Sequence, residues 1–278
     1  MCRWLNLPRS SYYYKTSEPV SEADLEEKVK QIFLESQSRY GARKIKQCLA
    51  TDGIILSRRR IRRIMKRLNL VSVYQQASFK PYAKGKNEAP IPNLLDRQFY
   101  QEKPLEVIVT DLTYVRVGQR WAYVCLIIDL FNREIIGVSV GWQKTAELVK
   151  QAIQSIPYAL TKVNLFHSDR GKEFDNQLID EVLEAFGITR SLSQAGCPYD
   201  NAVAESTYRS FKLEFVHQET FHSLKELTLK TKNYVHWWNH HRIHGSLNYQ
   251  TPIAKRVTAQ QKTLYKNCTE KCCLFINR

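Results

Sequence analysis

The chain has 278 residues, 43% of them hydrophobic, enough for one large core or two modest ones. It holds no apolar run of about 18 residues and opens on MCRWLNLPRSSYYYK. That argues against a spanning helix or a secretory leader and places the protein in the cytosol. Its seven cysteines are odd in number and come without a secretion signal, so they read as free thiols.

The net charge of +15 is unevenly spread. Residues 1–104 carry 21 Lys/Arg against 10 Asp/Glu, residues 105–218 carry 11 against 14, and residues 219–278 carry 10 against 3. Two basic arms thus flank a mildly acidic centre. The arms suit a polyanion whose phosphates release counterions to Lys and Arg. An acidic centre within such a protein makes sense if some of its carboxylates hold divalent cations.

In chain order, residues 22–37 predict a helix, with Leu25, Val29, Ile32 and Phe33 at helical spacing and Ser21 as N-cap. Residues 39–70 predict a helical pair turning at Gly53. Ser57 caps its second member, in which Ile61, Ile64, Met65 and Leu68 form the buried stripe. Arg58, Arg59, Arg60, Arg62, Arg63, Lys66 and Arg67 cover much of the remaining surface. Eleven basic residues against the single acid Asp52 in residues 39–70 self-repel without an anion, so this segment reads as a helix-turn-helix-like DNA-binding region. A solvated basic helix without a ligand is the plainer alternative. The boundaries expected are a helical region over 1–75 and a Pro- and Lys-rich linker over 76–104. A catalytic core over 105–218 and a basic helical C-terminal region over 219–278 follow.

From residue 105 the pattern changes. LEVIVTDLTYVRV, RWAYVCLIIDLF and REIIGVSVG predict an antiparallel meander. A helix near 145–160, the strand VNLFHSD, a helix capped by Asp175 and ended by Gly187, the strand ITRSLS and a long helix near 200–217 complete the order β-β-β-α-β-α-β-α. Asp200 and Asn201 are expected to cap the last helix.

Three carboxylates stand out. Asp111 lies in an apolar strand, where a core-facing charge is costly without compensation. Asp169 ends the fourth strand, and Glu205 lies early in the long helix, with 35 residues between the two. On that helix Ala204, Tyr208, Phe211 and Phe215 fall in a stripe roughly 60° wide, while Glu205, Arg209 and Lys212 lie roughly 90° from its centre. Glu205 can then point along the sheet toward Asp111 and Asp169, with Lys212 on the same side for a phosphate. Oxygen-only ligands suit Mg²⁺ or Mn²⁺, and two such ions can serve phosphodiester displacement. A lone Asp in a strand is usually structural; the three together point to chemistry. Asp129 is a fourth acid, read as structural. His167 is a possible auxiliary group, against a plain strand-end histidine. A zinc site from His240, His241, His244, Cys268, Cys272 and Cys273 is the weaker reading of that cluster, and Trp237 and Trp238 read as packing residues.

The stretches VTDLTYV, FHSDRGKEF, GCPYDNAVAESTYRSFKLE and WWNHHRIHGSLNYQTP resemble the DDE transposases related to retroviral integrases. Within them, the chain resembles the second-reading-frame proteins of the third insertion-sequence family, over about residues 1–257. The resemblance implies a ribonuclease-H-like mixed five-stranded sheet flanked by helices, preceded by an all-α helix-turn-helix-like domain. It further implies Mg²⁺ dependence and strand cleavage and transfer at the element's ends. Asp111, Asp169 and Glu205 carry over as catalytic metal ligands and Lys212 as a DNA contact, with Arg209 beside it. Double-stranded DNA, an upstream-frame transposase protein as fusion or partner, and further copies of the chain are the implied partners. A plain ribonuclease H or nuclease fits the basic arm and the acid spacing less well. A non-catalytic DNA-binding regulator leaves the acids unexplained.

Overall fold

The computed structural model describes residues 21–74, 91–194 and 197–261, and the chain divides into two compact units at residues 75/76. In the first unit, α1 (Glu22–Glu35), α2 (Ala42–Thr51) and α3 (Arg58–Arg67) pack through Leu25, Val29, Phe33, Ile45, Leu49, Ile61 and Ile64. The periodic apolar positions of the sequence are these contacts. Both expected serine caps form: Ser21 Oγ accepts from Asp24 N at 3.0 Å and Ser57 Oγ from Arg60 N at 3.2 Å. Gly53, at φ +77°, makes the left-handed turn that leads out of α2.

The second unit is built on one sheet of order β3-β2-β1-β4-β5. β1 (Val107–Val117), β2 (Arg120–Asp129) and β3 (Ile135–Gly141) form the antiparallel meander; β4 (Leu165–Ser168) and β5 (Thr189–Leu192) join parallel to β1. Strand alternation sends Ile108 to one face, where α4 (Ala146–Gln154) and α5 (Gln177–Ala185) cover it. It sends Val107, Val109, Val115 and Val117 to the other, beneath α6 (Ala202–Glu214) and α7 (Leu224–His240). This is the mixed sheet between helices that the sequence implied.

Two boundaries differ from expectation. Residues 91–104 are not free linker: Leu95 is buried in the α6-side core, and the N–H groups of Leu94 and Leu95 donate to Ser191 Oγ. The core also runs past residue 218, because α7 contributes Leu227, Tyr234 and Trp238 to it. Helical residues 252–261 add Arg256, which bonds Asp129 at 2.8 Å and Glu134 at 2.6 Å. Asp129 is therefore the anchor of a buried ion-pair network, as the structural reading held, and burial raises its carboxyl despite that partner.

Among the described residues no helix is long and apolar enough to cross a membrane. Cys48, Cys125 and Cys197 are free thiols; Cys2, Cys268, Cys272 and Cys273 lie outside the described residues.

Candidate active site

The register of the sheet brings two acids to one edge. β1 and β4 run parallel with Val109 beside His167. Asp111 and Asp169 each follow two residues later on strands about 4.8 Å apart. They emerge near the carboxyl ends of the parallel pair, where open α/β sheets place their ligand crevice. Asp111 Oδ1 accepts from Leu112 N at 2.7 Å, and Asp169 Oδ1 accepts from Gly171 N at 3.0 Å. The second oxygen of each has no protein donor among the described residues.

Burial, then the charges of Asp169 and Glu205, push the Asp111 carboxyl up to about 7. Asp169 is also raised, by burial first and then by Glu173. The Asp111–Asp169 repulsion falls on Asp111, the more deeply placed of the two. Both move upward chiefly because partial burial disfavours the charged form, and a neighbouring carboxylate adds to each: Asp169 for Asp111, Glu173 for Asp169.

Glu205 occupies the position that helical phasing assigned. Ala204, Tyr208 and Phe211 of α6, with Phe215 just after it, are buried, while Glu205 and Arg209 are exposed and Lys212 is half-buried. Partial desolvation raises Glu205 as well. Glu205 is close enough to act on the charge of Asp111, but the acids do not form a closed cage. Among the described residues no three His, Cys, Asp or Glu side chains lie close enough to hold a metal ion. The structure thus pairs Asp111 with Asp169 and leaves Glu205 at the rim.

The sequence missed three neighbours. Glu173 is buried beside Asp169, and Lys144 Nζ lies 2.7 Å from its Oε1, an ion pair outside hydrogen-bond geometry. Burial works against the Lys144 charge, but Glu173, Asp169 and Asp111 outweigh it and raise its pKa. Gly171 leaves the room that the Glu173 carboxylate fills, since a Cβ there would collide with it. The third is Tyr208, read only as packing. Its hydroxyl accepts from Leu126 N at 2.5 Å and donates to the main-chain carbonyl of Asp111. Glu173 lies four residues after Asp169, but Lys144 stands 29 positions before Glu173, so no local pattern joins the two.

Other expectations are relocated. His167 is fully buried, with its nitrogens 2.9 Å from Ser191 Oγ and 3.0 Å from Ser193 Oγ, and burial lowers it to about 4. It is a neutral clamp between β4 and β5 and does not reach the opening. Asp200 does not cap α6: it binds Arg97 at 2.8 Å and accepts from Gln194 N at 3.0 Å. Asn201 holds the N-cap position of α6 as expected, but its Oδ1 accepts no helix N–H and its amide donates to Thr110 O at 2.9 Å. Asn176, not Asp175, caps α5. Trp238 is buried as expected, and His240 stacks on His236; Cys268, Cys272 and Cys273 of the zinc reading lie outside the described residues.

The basic residues of α3 separate into two sets. Arg60 binds Glu22 at 2.5 Å, and Arg67 binds Glu22 at 3.1 Å and Glu26 at 2.6 Å. Arg58, Arg59, Arg62, Arg63 and Lys66 are exposed without a carboxylate partner among the described residues.

The paired acids on adjacent strands of a mixed five-stranded sheet define an integrase-core nucleic-acid enzyme. Comparison with known proteins agrees. Integrase core domain families match residues 101–198 and 186–252, and an HTH-like domain family matches residues 20–78. The chain is 30% identical over 264 residues to the putative transposase InsK of insertion sequence element IS150 from Escherichia coli K12, covering 92% of each chain. It is 29% identical to the transposase of IS904 from Lactococcus lactis, over 85% of this chain and 95% of that one. It is 28% identical to transposase InsF of IS3A from Escherichia coli K12, over 89% and 91%. The chain belongs to the integrase-core transposases of the third insertion-sequence family. Its activity is DNA strand cleavage and strand transfer in the movement of an insertion sequence.

Proposed function

We propose that Asp111, Asp169 and Glu205 hold the divalent cations of this transposase, two Mg²⁺ or Mn²⁺ ions. The observation that carries this is the half-buried Asp111–Asp169 pair, raised in pKa and with one oxygen on each lacking a protein donor among the described residues. Such a pair is destabilised as it stands and relieved by a hard cation. Bound ions would activate the attacking oxygen and neutralise the leaving one in phosphodiester displacement.

The protein's own groups do the rest. Glu205 closes the ligand set from the rim of α6. Lys144 and Glu173 fix the charge balance around Asp169. Lys212 and Arg209 lie on the same side of α6 as Glu205 and place the phosphate. Arg58, Arg59, Arg62, Arg63 and Lys66, with Arg60 as an ion-paired neighbour, hold duplex phosphates of the element end. The upstream-frame protein and further copies of the chain complete the assembly on DNA, in the cytosol.

The test is calorimetric titration of Mn²⁺ into the protein bound to duplex DNA. The wild type should take up about two ions, and Asp111→Asn or Asp169→Asn should lose most of that uptake. Unchanged stoichiometry and affinity in either variant would remove that residue from the ligand set.

A further inference from the structure

The open face of the β1–β2 hairpin carries groups that strand transfer as described above does not use. Tyr114 pairs with Tyr123 and Arg116 with Trp121, so Tyr114 and Trp121 are diagonal neighbours on one face. Nearer Asp111 this face is covered, since Leu112 and Tyr123 pack into the α4-side core. Farther out the cover ends, leaving Tyr114 56% and Trp121 48% exposed. Their rings meet edge to face with centroids 5.1 Å apart. Hairpin stabilisation by a cross-strand aromatic pair accounts for that contact alone.

It does not account for the cations. Lys212 Nζ sits 4.8 Å from the centroid of Tyr114, and the Arg116 guanidinium 5.2 Å from that of Trp121. Neither cation has a carboxylate partner among the described residues. Both line a groove of about 300 Å³ with Tyr114, Trp121 and His217. The groove's one acid, Glu219, is already held by Lys230 at 2.8 Å. Exposed aromatic faces beside unneutralised cations match a nucleotide, base on ring and phosphate on cation.

We propose that Tyr114 and Trp121, with Arg116 and Lys212, form a stacking platform for an unpaired nucleotide of the DNA strand that enters the active site. Tyr114 is three residues beyond Asp111 on the same strand, about 10 Å away along it. Lys212 is two turns beyond Glu205 on α6. Tyr114 and Asp111 project to opposite faces of β1, and Lys212, reaching the Tyr114 ring from the helix that carries Glu205, links the platform to the side of the acids. A base within a duplex cannot stack there, so the surface selects a frayed or flipped end. The proposal rests on the acid site proposed above for what the held strand does next, but not for its binding.

The test uses the full chain in EDTA, without turnover. Binding is compared between a fully paired duplex and a forked duplex of the same length whose unpaired end carries 2-aminopurine. The wild type should prefer the fork by about tenfold and quench its fluorescence. Tyr114→Ala with Trp121→Ala should bind both DNAs alike without quenching, and Trp121→Phe should keep most of the preference. Asp111→Asn should behave as the wild type here, so a failure of the metal reading would leave this result standing. A wild type without fork preference would overturn the proposal. So would a double-alanine variant that still quenches, or one that weakens fork and duplex equally while changing its sedimentation, which would make the surface a contact between copies.

Discussion

The hydroxyl of Tyr208, on the helix that carries Glu205, donates to the main-chain carbonyl of Asp111 and accepts from Leu126 N at 2.5 Å. A helix side chain is thereby inserted at the strand position that holds the central acid. It ties α6, which carries Glu205 three residues earlier, to the strand position of Asp111.

Tyr208→Phe keeps the ring and removes the bridge. The Leu126 N–H and Asp111 carbonyl lie among buried groups, so leaving them short of a partner should cost about 1–3 kcal/mol. The melting temperature should fall by several degrees. Because the helix also carries Glu205, the Mg²⁺ concentration for half-maximal strand transfer should rise several-fold. A lower melting temperature with an unchanged metal requirement would confine Tyr208 to folding.

The raised Asp111 carboxyl makes a pH prediction. Its folded pKa of about 7 lies above its unfolded value. The folded state binds the extra proton between those values, so metal-free stability falls as pH rises toward 7. Asp111→Asn should remove this decline and melt higher than the wild type near neutral pH without metal. Metal affinity should move the opposite way, rising with pH as Asp111 loses its proton. Melting curves from pH 5 to about 8, with EDTA and with Mn²⁺, check both signs. Equal pH slopes in the two proteins without metal would contradict the assignment.

Behind α6, Glu214 is almost fully buried and takes Arg242 at 2.7 Å and Tyr234 Oη at 2.8 Å. Arg242→Ala leaves that carboxylate without its cation and should destabilise the second unit by about 3–5 kcal/mol. Replacing both by Met should recover much of the loss. Urea denaturation measures each; a cost below about 1 kcal/mol for Arg242→Ala would mean the ion pair is not needed.

On α3 the ion pairs separate residues of similar charge. Arg63 has no carboxylate partner among the described residues, whereas Arg60 is held by Glu22. Arg63→Ala should lower the slope of log K against log salt by about 0.9, the share of one phosphate contact. Arg60→Ala should change that slope less and lower stability slightly. Binding isotherms at several salt concentrations decide, and equal slope changes would contradict the division.

Local periodicity explains how much could be read in advance. The alternation in VIVTDLTYV and the stripe Ala204, Tyr208, Phe211, Phe215 are properties of a strand and a helix taken alone, and both recur in the structure. The acids were legible for the same reason: a carboxylate in an apolar strand, or at the border of an apolar stripe, contrasts with its neighbours. What stayed hidden depends on distant partners. Tyr208 meets Asp111 across 97 positions, and Arg256 meets Asp129 across 127. The Pro-rich run before the core looked like linker, yet Leu95 is held by Ser191, 96 positions away. Asn201 does stand at the N-cap position, but its Oδ1 accepts no helix N–H, because its amide is turned to donate to Thr110 O.

The most direct test of the metal site is strand transfer on insertion-sequence end DNA by Asp111→Asn, Asp169→Asn and Glu205→Gln, with duplex binding measured on the same preparations. If the three acids hold the ions while the basic residues hold the phosphates, each variant should lose cleavage and joining by several orders of magnitude and bind DNA nearly as the wild type does. Near-normal strand transfer by any one variant would contradict the account for that acid. Loss of DNA binding in step with activity would place the acids in the fold rather than in the chemistry.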